Sequence, residues 1–223
     1  MAGVGLRPGV GCCEIGGNLY FLDSHRDRYV RISPELQAIV HRLEGGEDVE
    51  PAQVQALLAT GLFGEDRTGS PILGPTSIGL SSPVGQGGAR RPRVKEARFH
   101  EGILASLYLG LFHMLAKRIS LRKSIALAIW LSRRGFWRSS EVQVDGLLGT
   151  FSRVSQLFPK RNTCLADALA LKAYLGFYDI QTSLIFGIQT SPFRAHCWVQ
   201  QGEVALGQDL EVVRSFHPVL VMS

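Results

Sequence analysis

The chain has little that would staple it, anchor it or keep it unfolded. Its 223 residues include four cysteines, Cys12, Cys13, Cys164 and Cys197, too few for a small disulfide scaffold. No Cys-x-x-Cys occurs, and the adjacent pair Cys12-Cys13 is unsuited to a zinc site. No apolar run reaches the about 20 residues a membrane-spanning helix needs. The longest, residues 102–116, contains His113 and is followed by Lys117, Arg118, Arg122 and Lys123, which reads as a buried helix. The opening MAGVGLRPGVGCCEIGG lacks the apolar core of a secretory signal. Charged residues make up only 19% and hydrophobic residues 45%, which excludes disorder of the chain as a whole. These absences leave a globular chain of one or two units, expected in a reducing cytoplasm and with no metal.

The net charge of +5 is unevenly spread: −3 over residues 1–64, +3 over 65–98, +6 over 99–160 and −1 over 161–223. Glycine and proline concentrate between Gly64 and Pro92, a stretch without apolar periodicity that reads as a solvated linker. The expected organisation is therefore a small unit over residues 1–64, a flexible linker over 65–95 and a larger unit over 96–223. No internal repeat is visible.

In the first unit, Asn18–Leu22 and the alternating Arg28–Ile32 read as strands. Ser33-Pro34-Glu35 opens a helix with Ser33 as N-cap and Leu36, Ile39, Val40 and Leu43 on one face, stopped by Gly45-Gly46. A second helix runs from Pro51 to about Thr60, with Val54, Leu57 and Leu58 turned inward. This order resembles a winged helix–turn–helix. DNA reading is nonetheless disfavoured, because Pro51–Leu62 carries no Lys or Arg and the unit is acidic. In the second unit, 96–116, 120–134, 139–157 and 163–175 read as helices, the last ended by Gly176. Strands follow at 182–188, 194–200 and 204–209, with a hairpin turn at Gly202-Glu203. Helices followed by an antiparallel sheet give an α+β fold class.

Three residues suit nucleophilic catalysis: Cys164, His196 and Asp209. Cys164 falls in the first turn of a helix, where N–H groups and the macrodipole favour a thiolate. Counting back from the Gly202-Glu203 turn sets His196 opposite Asp209, so imidazole and carboxylate would share one face. That arrangement would serve the roles of a Cys–His–Asp triad. Each residue also has a structural alternative, as an inert buried thiol or a packing histidine. Cys197, adjacent to His196, points to the opposite face and reads as core.

The run Cys164-Leu-Ala-Asp-Ala-Leu-Ala-Leu-Lys-Ala-Tyr-Leu-Gly176, then Leu184–Ile188, Phe193-Arg-Ala-His196-Cys-Trp-Val199 and Asp209 resembles the B proteins of lasso-peptide biosynthesis. The resemblance is good over 161–220, limited to helical character over 96–160, and weak over 10–64. Cys197 departs from it, standing where a small residue such as alanine is expected. The resemblance implies a transglutaminase-like cysteine protease, with a papain/transglutaminase-like fold, fused to a PqqD-like leader-recognition domain (a RiPP recognition element). It implies that Cys164, His196 and Asp209 hydrolyse the amide between leader and core of a ribosomally made antibiotic precursor. It implies a leader held as an added strand near Tyr29, Val30, Ile32, Val54 and Leu58. It also implies an asparagine synthetase-like macrolactam synthetase as partner. ATP would be used with that partner, since this chain has no P-loop and needs no cofactor of its own.

Two alternatives stay open: a transglutaminase-fold acyl transferase, which passes through the same thioester, and a noncatalytic peptide-binding module. The basic segment 99–160 reads either as solvated helix faces or as a docking surface for the synthetase or the inner-membrane surface.

Overall fold

The computed structural model describes residues 3–66, 72, 99–116, 118–135, 144–159 and 163–223. Most of the stretch read as a linker, the opening of the third helix at 139–141, and residues 160–162 lie outside these.

The first unit is built on a three-stranded antiparallel sheet, β1–β5 being Gly3–Leu6, Val10–Ile15, Asn18–Asp23, Arg28–Arg31 and Phe63–Asp66. The sheet order is β2-β3-β4, and β1 pairs with β5 as a separate ribbon. Helix α1 (Pro34–Glu44) starts where expected: Ser33 Oγ accepts from Leu36 N–H at 3.4 Å and Pro34 takes the first turn. Its Ile39 and Val40 are buried, and Gly45 and Gly46 end it. Helix α2 (Pro51–Ala59) buries Leu57. Alternation along the strands gives the sheet two different faces. Cys12, Leu19, Phe21, Val30 and Ile32 pack with α1 and α2 in one core. Cys13, Leu22, Tyr20 and Tyr29 face the other way.

The second unit has helices α3 (Phe99–Leu115), α4 (Leu121–Ser132), α5 (Val144–Ser155) and α6 (Cys164–Phe177). A sheet of order β8-β7-β6-β9 follows, with β6 Ser183–Thr190, β7 Phe193–Gln201, β8 Val204–Leu206 and β9 His217–Met222. A short helix α7 (Leu210–Arg214) separates β8 from β9. Helix α6 is central and buried almost from end to end. Gly176 does not end α6, as its position in the sequence suggested. A Cβ there would lie 2.2 Å from Ser132 Cα, so the glycine lets α4 and α6 touch backbone to backbone. The helix runs one residue further, to Phe177.

The two units share a core. Cys13 and Leu22 of the first sheet belong to the same buried cluster as Leu109, Leu169, Phe186 and Val219 of the second unit. Strand β2 lies against β9 so closely that a Cβ on Gly11 would meet the Val219 carbonyl oxygen at 2.1 Å. Whatever the intervening stretch does, the units are joined by packing as well as by chain.

Candidate functional site

Cys164 is the first residue of α6 and is half-buried. Thr163 precedes it as N-cap, but its hydroxyl does not cap the helix; it donates to Asp167 Oδ2 at 3.0 Å. Asp167 Oδ1 in turn meets His113 Nε2 of α3 at 2.7 Å. The first turn of α6 is thus tied to α3 through a carboxylate.

Strand β8 covers β7 only over Val199–Gln201. The edge of β7 at His196 and Cys197 is left without a strand partner on that side, and there the Cys164 thiol meets the Cys197 backbone N–H. Burial is the main influence on this thiol and pushes its pKa up. The N–H groups of Cys197 and Leu165 oppose that, while the charge of Asp167 adds to it. In the resting protein Cys164 is therefore mainly a thiol at neutral pH, whatever the helix terminus contributes.

His196 lies on the opposite face of β7 from Cys197. Its ring stacks on Trp198, with centroids 6.1 Å apart, and tilts against Phe216 at 5.1 Å. Its Nε2 lies 3.2 Å from Oε1 of Gln208. Burial lowers its pKa, with Arg194 acting the same way and the Gln208 hydrogen bond opposing both. The imidazole is thus neutral at pH 7. With its Nε2–H donated to Gln208, the lone pair sits on Nδ1. Among the described residues no hydrogen bond joins His196 to the Cys164 thiol.

The expected pairing of His196 with Asp209 is not formed. The hairpin register is the one counted from the turn, Gln201 opposite Val204, but the ladder stops at Leu206 opposite Val199. Gly207 takes φ +66° and turns the chain out of the strand. Asp209 then caps α7, its carboxylate accepting from Glu211 N–H at 3.0 Å. A strand ladder extrapolated past a left-handed glycine overshoots, and Gln208 occupies the place next to the imidazole. Gly207 was the signal in the sequence for this break.

Cys197 is core, as expected, with its pKa pushed well above the usual thiol value by burial. Its Sγ also approaches the Cys164 carbonyl oxygen at 3.8 Å, so it floors the site. Cys12 and Cys13 are buried, their thiols pushed up to about 12, chiefly by burial. A small cleft of about 80 Å³, open to solvent, lies beside α6 and is lined by Ser152, Asp167, Trp198, Gly207 and Gln208 among others.

Of the residues expected to hold a leader, Val30, Ile32 and Leu58 come together in the core beneath α1 and α2. Val54 is half-buried on α2. Tyr29 does not join them. Facing the second unit, it makes an edge-to-face contact with Phe193 of β7, with ring centroids 5.6 Å apart. Burial raises its hydroxyl pKa, and the charges of Cys197 and then Cys164 raise it further. Strand alternation in the sequence carried this information: Tyr29 and Val30 cannot face the same side.

No helix among the described residues is long and apolar enough to cross a membrane, and no group of His, Cys, Asp and Glu among them could hold a metal ion. Comparison with known proteins gives one family: the model of the transglutaminase-like superfamily matches residues 108–221, just over half of the chain and the whole of α6 through β8. No curated protein and no solved structure matches the chain. The mixed helical and antiparallel fold fits this match, and the chain belongs to the transglutaminase-like superfamily.

Proposed function

We propose that this chain is a cysteine leader peptidase, which cuts a ribosomally made lasso-peptide precursor between leader and core. The observation that carries the reading is the thiol of Cys164, set at the start of α6 against the backbone N–H of Cys197, on the strand that also carries His196, whose ring Gln208 holds. In this reading Cys164 gives its proton to Nδ1 of His196 as its sulfur attacks the scissile carbonyl carbon. The Cys164 backbone N–H is the natural donor to the oxyanion. Collapse breaks the C–N bond, the core amine leaves with the proton from His196, and the leader remains as a thioester. Water, deprotonated by His196, then releases the leader carboxylate and restores the thiol. Gln208 holds the imidazole, the role first assigned to Asp209.

The leader would add as a strand to β4, which among the described residues pairs only with β3. Val30, Ile32, Val54 and Leu58 lie on that side of the sheet or on α2. The freed core amine would pass to an ATP-dependent macrolactam synthetase acting as partner.

The test is mass spectrometry of the cognate precursor incubated with this protein, that synthetase and ATP. Wild type should yield the leader fragment and Cys164→Ala should not. Cleavage by Cys164→Ala would overturn the reading and leave a peptide-binding module. A leader fragment found joined to an added amine instead of water would convert it to acyl transfer.

A further inference from the structure

Packing places a residue of the first unit against the strand beside Cys164, and the Sγ of Cys197, in the cluster it packs on, lies 3.8 Å from the Cys164 carbonyl oxygen. Tyr29, on β4, packs into the core of the second unit and not into its own. Its ring meets Phe193 at the start of β7, the strand that carries His196 and Cys197. Burial raises its hydroxyl pKa, and the charges of Cys197 and then Cys164 act the same way. Across the sheet Tyr29 is paired with Leu22, itself fully buried against the second unit, so the ring has a fixed base.

We propose that Tyr29 is a specificity-determining residue, forming the wall of the Cys164 site from the first unit and limiting the bulk of the group that can reach the sulfur. This rests on the reading of Cys164 as nucleophile. It deepens that reading in one respect: the acceptable substrate is a peptide whose residue at the scissile carbonyl is small. A strand laid on the edge of β4 would pass Tyr29 on its way to Cys164, so recognition and size selection would come from one strand.

The test needs no precursor. Full-length protein is treated with iodoacetamide or with N-benzyl-iodoacetamide, which share one reaction: the sulfur–carbon bond forms, the carbon–iodine bond breaks and iodide leaves. They differ only in bulk. Labelling of each cysteine is followed by peptide mass spectrometry in wild type, Tyr29→Phe, Tyr29→Leu and Tyr29→Ala. Truncation should raise the benzyl-to-parent rate ratio at Cys164 by about tenfold in Tyr29→Ala, equivalent to about 1.4 kcal/mol of barrier. The rise should be smaller in Tyr29→Leu and absent in Tyr29→Phe. An unchanged ratio in both truncations would overturn the proposal. A rise accompanied by equal labelling of Cys13 and Cys197 would overturn it too, because the residue would then only hold the units together. Should Tyr29→Ala fail to fold, Tyr29→Leu decides the question. Precursor cleavage by Cys164→Ala would sink the nucleophile reading while leaving this ratio untouched, so the two failures are distinguishable.

Discussion

His196 Nε2 lies 3.2 Å from Gln208 Oε1, so the imidazole of this site is oriented by an amide and not by a carboxylate. An amide fixes the tautomer without adding a negative charge to steady the imidazolium. Burial and Arg194 then keep the ring neutral below the usual histidine range.

The pH profile of cleavage should carry that signature. A base must be deprotonated to act, and a lowered pKa keeps it so to lower pH. The acid limb of kcat/KM is expected below the ordinary histidine value of about 6.5. Gln208→Glu would favour the charged ring and move the limb upward. Gln208→Ala would leave the limb low and reduce kcat by up to about a hundredfold, the low end of what general acid–base catalysis contributes. A wild-type limb above that of Gln208→Glu would contradict the assignment.

Thiol labelling in the absence of substrate tests the resting state of Cys164. Burial raises the Cys164 pKa above 9.0, so its alkylation rate should still be climbing at pH 9. A preformed thiolate–imidazolium pair would instead give a plateau from mildly acidic pH. Cys12 and Cys13, at about 12, should remain unlabelled in the folded protein.

Asp167 is expected to restrain the same thiol. Its carboxylate raises the Cys164 pKa, so Asp167→Asn should lower it and speed iodoacetamide labelling at pH 8 by about a few-fold. The variant also weakens the ties to His113 and Thr163, and α6 should lose some of its anchorage to α3. Slower labelling in Asp167→Asn would show that position outweighs charge.

One substitution should have opposite signs at two helical glycines. Gly146, in α5, has nothing within 4 Å of an added Cβ, so Gly146→Ala should stabilise by up to about 1 kcal/mol through helix propensity. Gly176→Ala drives a methyl into the Ser132 backbone and should cost about 3 kcal/mol or more. Thermal unfolding of the two variants against wild type measures both.

The shared core makes a parallel claim about Gly11. Gly11→Ala pushes β2 off β9 at the Val219 carbonyl and should destabilise both units, by about 1–3 kcal/mol. Two separate unfolding transitions, with only the first unit affected, would show that the units do not fold as one.

Much of this architecture is written in local pattern. The Ser33-Pro34 start of α1, the Gly202-Glu203 hairpin and the placement of Cys164 at the head of α6 all follow from caps, turn residues and apolar spacing. What periodicity cannot supply is where an element ends because of something distant. Gly176 reads as a stop, yet its role is set by Ser132, a residue in another helix. Asp209 was aligned with His196 by a ladder that Gly207 breaks. The tie from His113 to Asp167 joins helices far apart in sequence, and a histidine inside an apolar run gives no sign of its partner. The facing of Tyr29 was legible from alternation, but which neighbour it faces depends on how the two units dock.

That docking bears on synthesis. The surface of β2 around Gly11 and Cys13 is completed by Val219 and Leu220, about 200 residues further along the chain. Its outer face stays wet until those residues have been made, a nonpolar sheet surface held open for a strand that does not yet exist.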